Sequence, residues 1–330
     1  MALMQRFIRT FAAASLGLAG GLIAVSASSA STGHAKRASM HNISVGVIPV
    51  ADVAPLYVGM KKGFFAKQHL KVIPHVLQGG AAVASAVVGG SLEFGFGATA
   101  NIVLAESSNL PVQFVANGDQ AASSASSAWS GILVSGTSGI TSISQLAGKT
   151  IATNALEGEN ELALDAVLQS NGVSPSSVKI AVLGFPDMAA ALASGSVDAV
   201  TEVEPFVSAI EAQGGVMLSP LFEGMKPSLL VAGYFANKNL IRENPKLVKG
   251  FVTAMNESLN YAQTHPAAVR AAVLTYTQIP ATVVAKMKLP VWGTAVQTKS
   301  ITFQENAMLH LGWISRLVPV SKLVWSGAVR

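Results

Sequence analysis

The chain has 330 residues, half of them apolar and only 12% charged, with no cysteine and a net charge of +5. That length and apolar content suffice for a sizeable core in one large or two ordinary domains. The missing cysteine excludes disulfides, thiolate metal sites, a cysteine nucleophile and a lipid anchor on an N-terminal cysteine, and the dispersed charge gives no footprint for nucleic acid.

The N-terminal stretch places Arg6 and Arg9 before an apolar run from Phe11 to Val25, followed by Ser28-x-Ala30. Charged, apolar and small-residue regions in that order predict a secretory signal peptide over residues 1–30. The alternative is an uncleaved anchor, against which the run falls short of the ~20 apolar residues that span a bilayer. This segment also inflates the mean hydropathy of +0.47. Without Arg6 and Arg9 the chain holds 20 basic against 17 acidic residues. Residues 31–41 read as a polar tether.

From there strands and helices alternate. ISVGVIPV (43–50) alternates apolar and small residues up to Pro49, a strand pattern. APLYVGMKKGFF (54–65) follows as a helix, with Pro55 in its first turn and Gly63 near its end. LKVIPHVL (70–77) is a second strand, AAVASAVVGG (81–90) a helix stopped by glycine, and LEFGFG (92–97) a third strand. Such an order implies a mostly parallel sheet with helices on its faces. His69, in KQHLKV, suits a left-handed turn, which histidine tolerates better than most residues.

The plan recurs downstream. KTIATNA (149–155), VKIAVLG (178–184) and SVDAVTE (196–202) read as strands, separated by helices over 158–172 and 188–195. Aligning AVVGGSLEFGF with ALASGSVDAVT places Ser91 opposite Ser196, an offset of 105 residues. GILVSG (131–136) and LLVAGYFANK (229–238) flank the second unit where the chain crosses between lobes. The expected organisation is lobe 1 from 42–132 and 233–330, and lobe 2 from 133–232. Leu247, Phe251, Met255 and Leu259 form an i, i+4 helical stripe read as core packing.

Four segments carry a family likeness: APLYVGMKKGFFAKQHLKV, SLEFGFGATAN, ISQLAGKTIAT and GSVDAVTEVEPF. In this order they resemble the periplasmic substrate-binding proteins of ABC importers for nitrate, taurine, aliphatic sulfonates and thiamine-pyrimidine precursors. The likeness runs from Ile43 to Thr264. It implies an α/β, two-lobed type II periplasmic binding protein, exported and monomeric, that closes by a hinge over a small solute and delivers it to an ABC permease. No cofactor is implied.

In this fold the ligand lies between the lobes at the carboxyl ends of the strands. The candidate contacts in lobe 1 are Ala51 and Asp52 after the first strand, Gly79 and Gly80 after the second, and Ala98, Thr99 and Asn101 after the third. Asn117, Trp129 and Ser130 lie toward the crossing. Lobe 2 offers Asn154 and Glu157, Asp187 and Met188, and Glu202 and Glu204. Asp52 and Thr99 serve equally as caps of the helices that follow them, and Trp129 as hinge packing. The glycines serve equally as turn residues.

The six histidines show no metal-ligand spacing, and neither a Walker loop nor a GxSxG elbow is present, so a metal site, a phosphate loop and a serine hydrolase lack support. Glu157, Glu159 and Glu161 open the lobe 2 helix; read as a solvated acidic first turn, they stabilise its dipole and repel an anion. With Glu202, Glu204 and Asp187 nearby, the second lobe favours a donor-bearing solute, such as a thiamine pyrimidine or another nitrogen heterocycle, over a sulfonate, taurine or nitrate. Two other classes remain as alternatives: a dehydratase-like enzyme using Glu202 and Glu204 as acid and base, and a sensor reporting to a membrane kinase.

Overall fold

The computed structural model describes residues 39–329, so the expected signal peptide and most of the tether lie outside the described residues. Ten strands form two five-stranded sheets. The first contains β1 (His41–Val47), β2 (Leu70–Val76), β3 (Phe94–Ala98), β4 (Val112–Gln120) and β10 (Leu230–Asn237). The second contains β5 (Ser130–Ser135), β6 (Thr150–Thr153), β7 (Lys179–Val182), β8 (Ala199–Val203) and β9 (Gly215–Pro220). Helices cover both, giving a two-lobed α/β fold.

The sheets share one topology, β2-β1-β3-β10-β4 and β7-β6-β8-β5-β9. In each, four strands run in one direction and the fourth in line, β10 or β5, runs against them. Each sheet is therefore mixed, and its odd strand is the one that follows a crossing between lobes. The repeat is visible in the register: Val45 pairs with Phe94 and Ile151 with Ala199, which restores the 105-residue offset between β3 and β8. The first strand starts at His41, inside the stretch expected as tether. Ser130 to Ile132 pair in the second sheet and Leu230 to Ala232 in the first, so the crossings run from Gln120 to Ser130 and from Pro220 to Leu230.

The same carboxylate clamp opens both repeats. Glu93 Oε2 accepts from Ser44 N at 2.7 Å, and Asp198 Oδ2 accepts from Thr150 N at 2.9 Å. Asp198 precedes β8 and belongs to the scaffold. His69 takes φ 58, the left-handed turn expected of it, and Gly63 ends the Ala54–Lys62 helix at φ 76. The stripe Leu247, Phe251, Met255 and Leu259 on the Pro245–Thr264 helix is buried against the first sheet, with Phe251 stacked on Phe94 at 3.9 Å. Among the described residues no helix is long and apolar enough to cross a membrane.

Candidate functional site

Both lobes send strand ends and helix starts into one cleft. Its cavity holds about 470 Å³ free of protein atoms, including space open to solvent. Hydrogen bonds from Ala51 N to Glu204 O at 2.8 Å and from Ala100 N to Glu159 Oε2 at 2.9 Å join the lobes across it. Phe96, Phe185 and Phe222 line it with Ile48, Val50, Val203 and Val231; its polar side chains are Asp52, Asn101, Asn154, Glu159 and Asn160. Among the described residues no Lys, Arg or His lines it. Asn154 Oδ1 and Glu159 Oε1 are buried without hydrogen-bond partners, and both belong to lining residues.

The carboxyl groups here are held toward their neutral form. Burial raises Glu159 to about 8, opposed by the N–H of Ala100 that donates to it. Asp52 and Asp119 face one another, both buried. Burial raises each, and the charge of Asp52 further raises Asp119, so the two share a proton. Asp119 Oδ1 accepts from Ala232 N at 3.0 Å, which fixes its orientation beneath the cavity. Tyr234 lies in the same field, its hydroxyl buried and unpartnered. Among the described residues no group of three or more His, Cys, Asp or Glu could hold a metal ion.

Of the residues expected to touch ligand, Asp52, Gly80, Ala98, Asn101 and Asn154 line the cavity. The others stand elsewhere for identifiable reasons. Ala51 donates its N–H to Glu204 O at 2.8 Å, a contact across the lobes. Gly79 leads into the Gly80–Val88 helix. Thr99 is buried and gives its hydroxyl to Leu230 O, so it caps nothing; Asp52 makes no capping bond either. Asn117 donates to Gly293 O at 2.6 Å. Trp129 is fully buried, donating to Gln120 O and packed on Phe222 at 5.3 Å, which makes it hinge packing. Ser130 donates to Glu223 and accepts from Phe222 N within the crossings.

In lobe 2, Glu157 and Asp187 are exposed and Met188 is core. Strand alternation settles Glu202: Thr201 bonds Asn160, a cavity residue, and Val203 lines the cavity, so the side chain of Glu202 projects from the opposite face of β8. Glu204 lies beyond the strand, where its carboxylate accepts from Ser208 N and Oγ and from Lys288 N. Burial raises it to about 7 despite those bonds.

Glu159 overturns the expectation of a solvated acidic turn: it is 3% exposed. It opens the Glu159–Ser170 helix and reaches across the cleft, where Oε2 accepts from Ala100 N at 2.9 Å. Sequence offered one sign of this, a carboxylate at the end of a loop expected to face the cleft. Asp119 had the same kind of sign, at the end of residues 117–119 expected to face the cleft.

Residues 50–269 match the NMT1/THI5 like family. The chain belongs to that family. Among proteins of known function it is similar to the riboflavin-binding protein RibY of Chloroflexus aurantiacus, 28% identical over 64% of this chain. The match spans 59% of that protein's length. Among solved structures it is similar to the periplasmic aliphatic sulphonate binding protein SsuA of Escherichia coli, with TM-score 0.71 and 17% identity over 88% of this chain and 94% of the other. The nitrate-binding protein NrtA of Synechocystis superposes with TM-score 0.69 at 14% identity, covering 86% of this chain and 83% of that one. The desulfurization enzyme DSZB shares the fold too, with TM-score 0.66 at 14% identity over 86% and 96% of the two chains. At these identities the solved structures establish the fold alone, a two-lobed α/β fold.

Proposed function

We propose that this protein is an exported solute receptor whose cleft encloses a planar, donor-bearing nitrogen heterocycle and presents it to an ABC permease. One observation carries the reading: the cavity combines three phenylalanine rings with unpartnered acceptor oxygens and no basic side chain. Rings offer stacking faces, and buried acceptors are satisfied only by N–H or O–H groups brought in by a ligand. An amino-pyrimidine of the thiamine kind and a flavin both meet that description, and the riboflavin-binding relative supports the second. A sulfonate or nitrate would meet carboxyls where it needs donors.

The receptor reading is preferred to an enzyme because the cavity presents no serine, threonine, lysine or histidine to act as nucleophile or base beside the two carboxyls. The discriminating experiment is mass spectrometry of small molecules released on denaturing protein purified from its native host, followed by calorimetry with a thiamine pyrimidine, riboflavin and an alkanesulfonate. Stoichiometric binding of a heterocycle without turnover is expected. Conversion of the ligand, or preference for the alkanesulfonate, would sink the proposal. Asp52→Asn should weaken heterocycle binding about tenfold, the scale of one lost hydrogen bond.

A further inference from the structure

Ala100 is the second residue of the Thr99–Ser107 helix, and its N–H is among those that no carbonyl of the same helix can receive. The residue before the helix, Ala98, has no accepting side chain, and Thr99 turns its hydroxyl to Leu230. The acceptor arrives from the other lobe as Glu159 Oε2, at 2.9 Å. A helix start with a free amide attracts oxyanions; here the chain's own carboxyl group sits on it. The group is built in: Glu159 is 3% exposed, and its second oxygen, Oε1, is buried, lacks a partner and belongs to the cavity lining. Its delivery is also constrained, because a side chain on the preceding Gly158 would lie 3.1 Å from Ala155 Cβ.

We propose that Glu159 is the specificity-determining residue of this cleft: it fills, from the opposite lobe, the seat at the Thr99–Ser107 helix start that a sulfonate or other oxyanion would take. Lobe closure then shuts that seat and leaves Oε1 as an acceptor for the ligand. The proposal rests on the cleft being a solute site, as argued above, and does not depend on which heterocycle it takes.

The test titrates ethanesulfonate by calorimetry into the full chain and into E159A, E159S and E159Q at pH 7.5, with circular dichroism melting to establish that each is folded. Alanine and serine vacate the seat; glutamine keeps an oxygen on Ala100 N. The wild type and E159Q should ignore ethanesulfonate, whereas E159A and E159S should bind it at least about tenfold more tightly, the gain of one charge-assisted hydrogen bond. The proposal is overturned by wild-type binding equal to that of E159A, by folded small variants that stay blind, or by E159Q gaining as much as E159A. A cleft that binds heterocycle while E159A ignores sulfonate would refute this inference alone. A cleft that ignores every heterocycle, but in which E159A gains sulfonate, would refute the functional reading alone.

Discussion

Buried carboxyls without cationic partners make the chemistry of this protein unusual at the level of single residues. Asp52, Asp119, Glu159, Glu202 and Glu204 all titrate above their ordinary range, burial being the first cause in each. In the unfolded chain the same groups ionise near pH 4 to 4.5. Between there and about pH 8 the folded state binds more protons than the unfolded state, so stability is greatest at the acid side of the window and falls as pH rises. Thermal melting should therefore give a midpoint several degrees higher at pH 5 than at pH 8; a flat or rising profile across that window would contradict the buried, protonated carboxyls. Asp119→Asn tests the shared proton more sharply. The amide still offers an oxygen to Ala232 N and gives Asp52 a permanent donor. The variant should be more stable than wild type at pH 8, by about 1 kcal/mol or more, with a shallower pH slope.

The strands show how one local solution is used twice. Glu93 and Asp198 each hold an amide of the neighbouring strand, at Ser44 and Thr150, in lobes that share the same order of pairing. Both clamps are partly exposed, and Asp198 also meets Lys149 at 3.4 Å. Glu93→Ala and Asp198→Ala should each destabilise by about 1 kcal/mol in urea titration, and the double variant by close to the sum, because the two clamps share no partner. A strong departure from additivity would mean that the lobes are coupled through these strand starts. The GSVDAVTEVEP segment was legible as a strand, because AVVGGSLEFGF supplies the matching repeat. The roles of Glu202 and Glu204 were not legible. Extended alternation does not continue past Val203, and which face of β8 meets the cavity depends on the helix carrying Asn160.

At the scale of the molecule the crossings hold the closed arrangement. Trp129 ties β4 to the start of β5 through Gln120 O and packs on Phe222, which itself lines the cavity. Glu223 gathers Ala122 N and Ser130 Oγ across both crossings. Because hydrogen bonds from Ala51 to Glu204 and from Ala100 to Glu159 join the lobes across the cleft, the proposed entry of a ring-sized solute would part them by hinge motion about these segments. Trp129→Phe, which removes one buried hydrogen bond but keeps an aromatic ring, should favour the open form. Small-angle scattering is expected to show a larger radius of gyration for this variant than for wild type without ligand, and convergence when ligand is added. Equal radii without ligand would remove Trp129 from the hinge.

The sequence by itself determined the alternation of strands and helices, the doubling of the plan at an offset of 105 residues, the left-handed turn at His69 and the packing stripe from Leu247 to Leu259. These follow from periodicity and steric preference, which act between near neighbours and so leave a local trace. Only the tertiary structure decided which carboxyls count. Glu159 reads as an exposed acid from its own turn and becomes buried because another lobe brings Ala100 to it, while Asp119 acquires its shared proton from Asp52, 67 positions earlier in the chain. The cleft is formed by residues distant along the chain, and the burial that sets their charge exists only in the folded arrangement that brings them together.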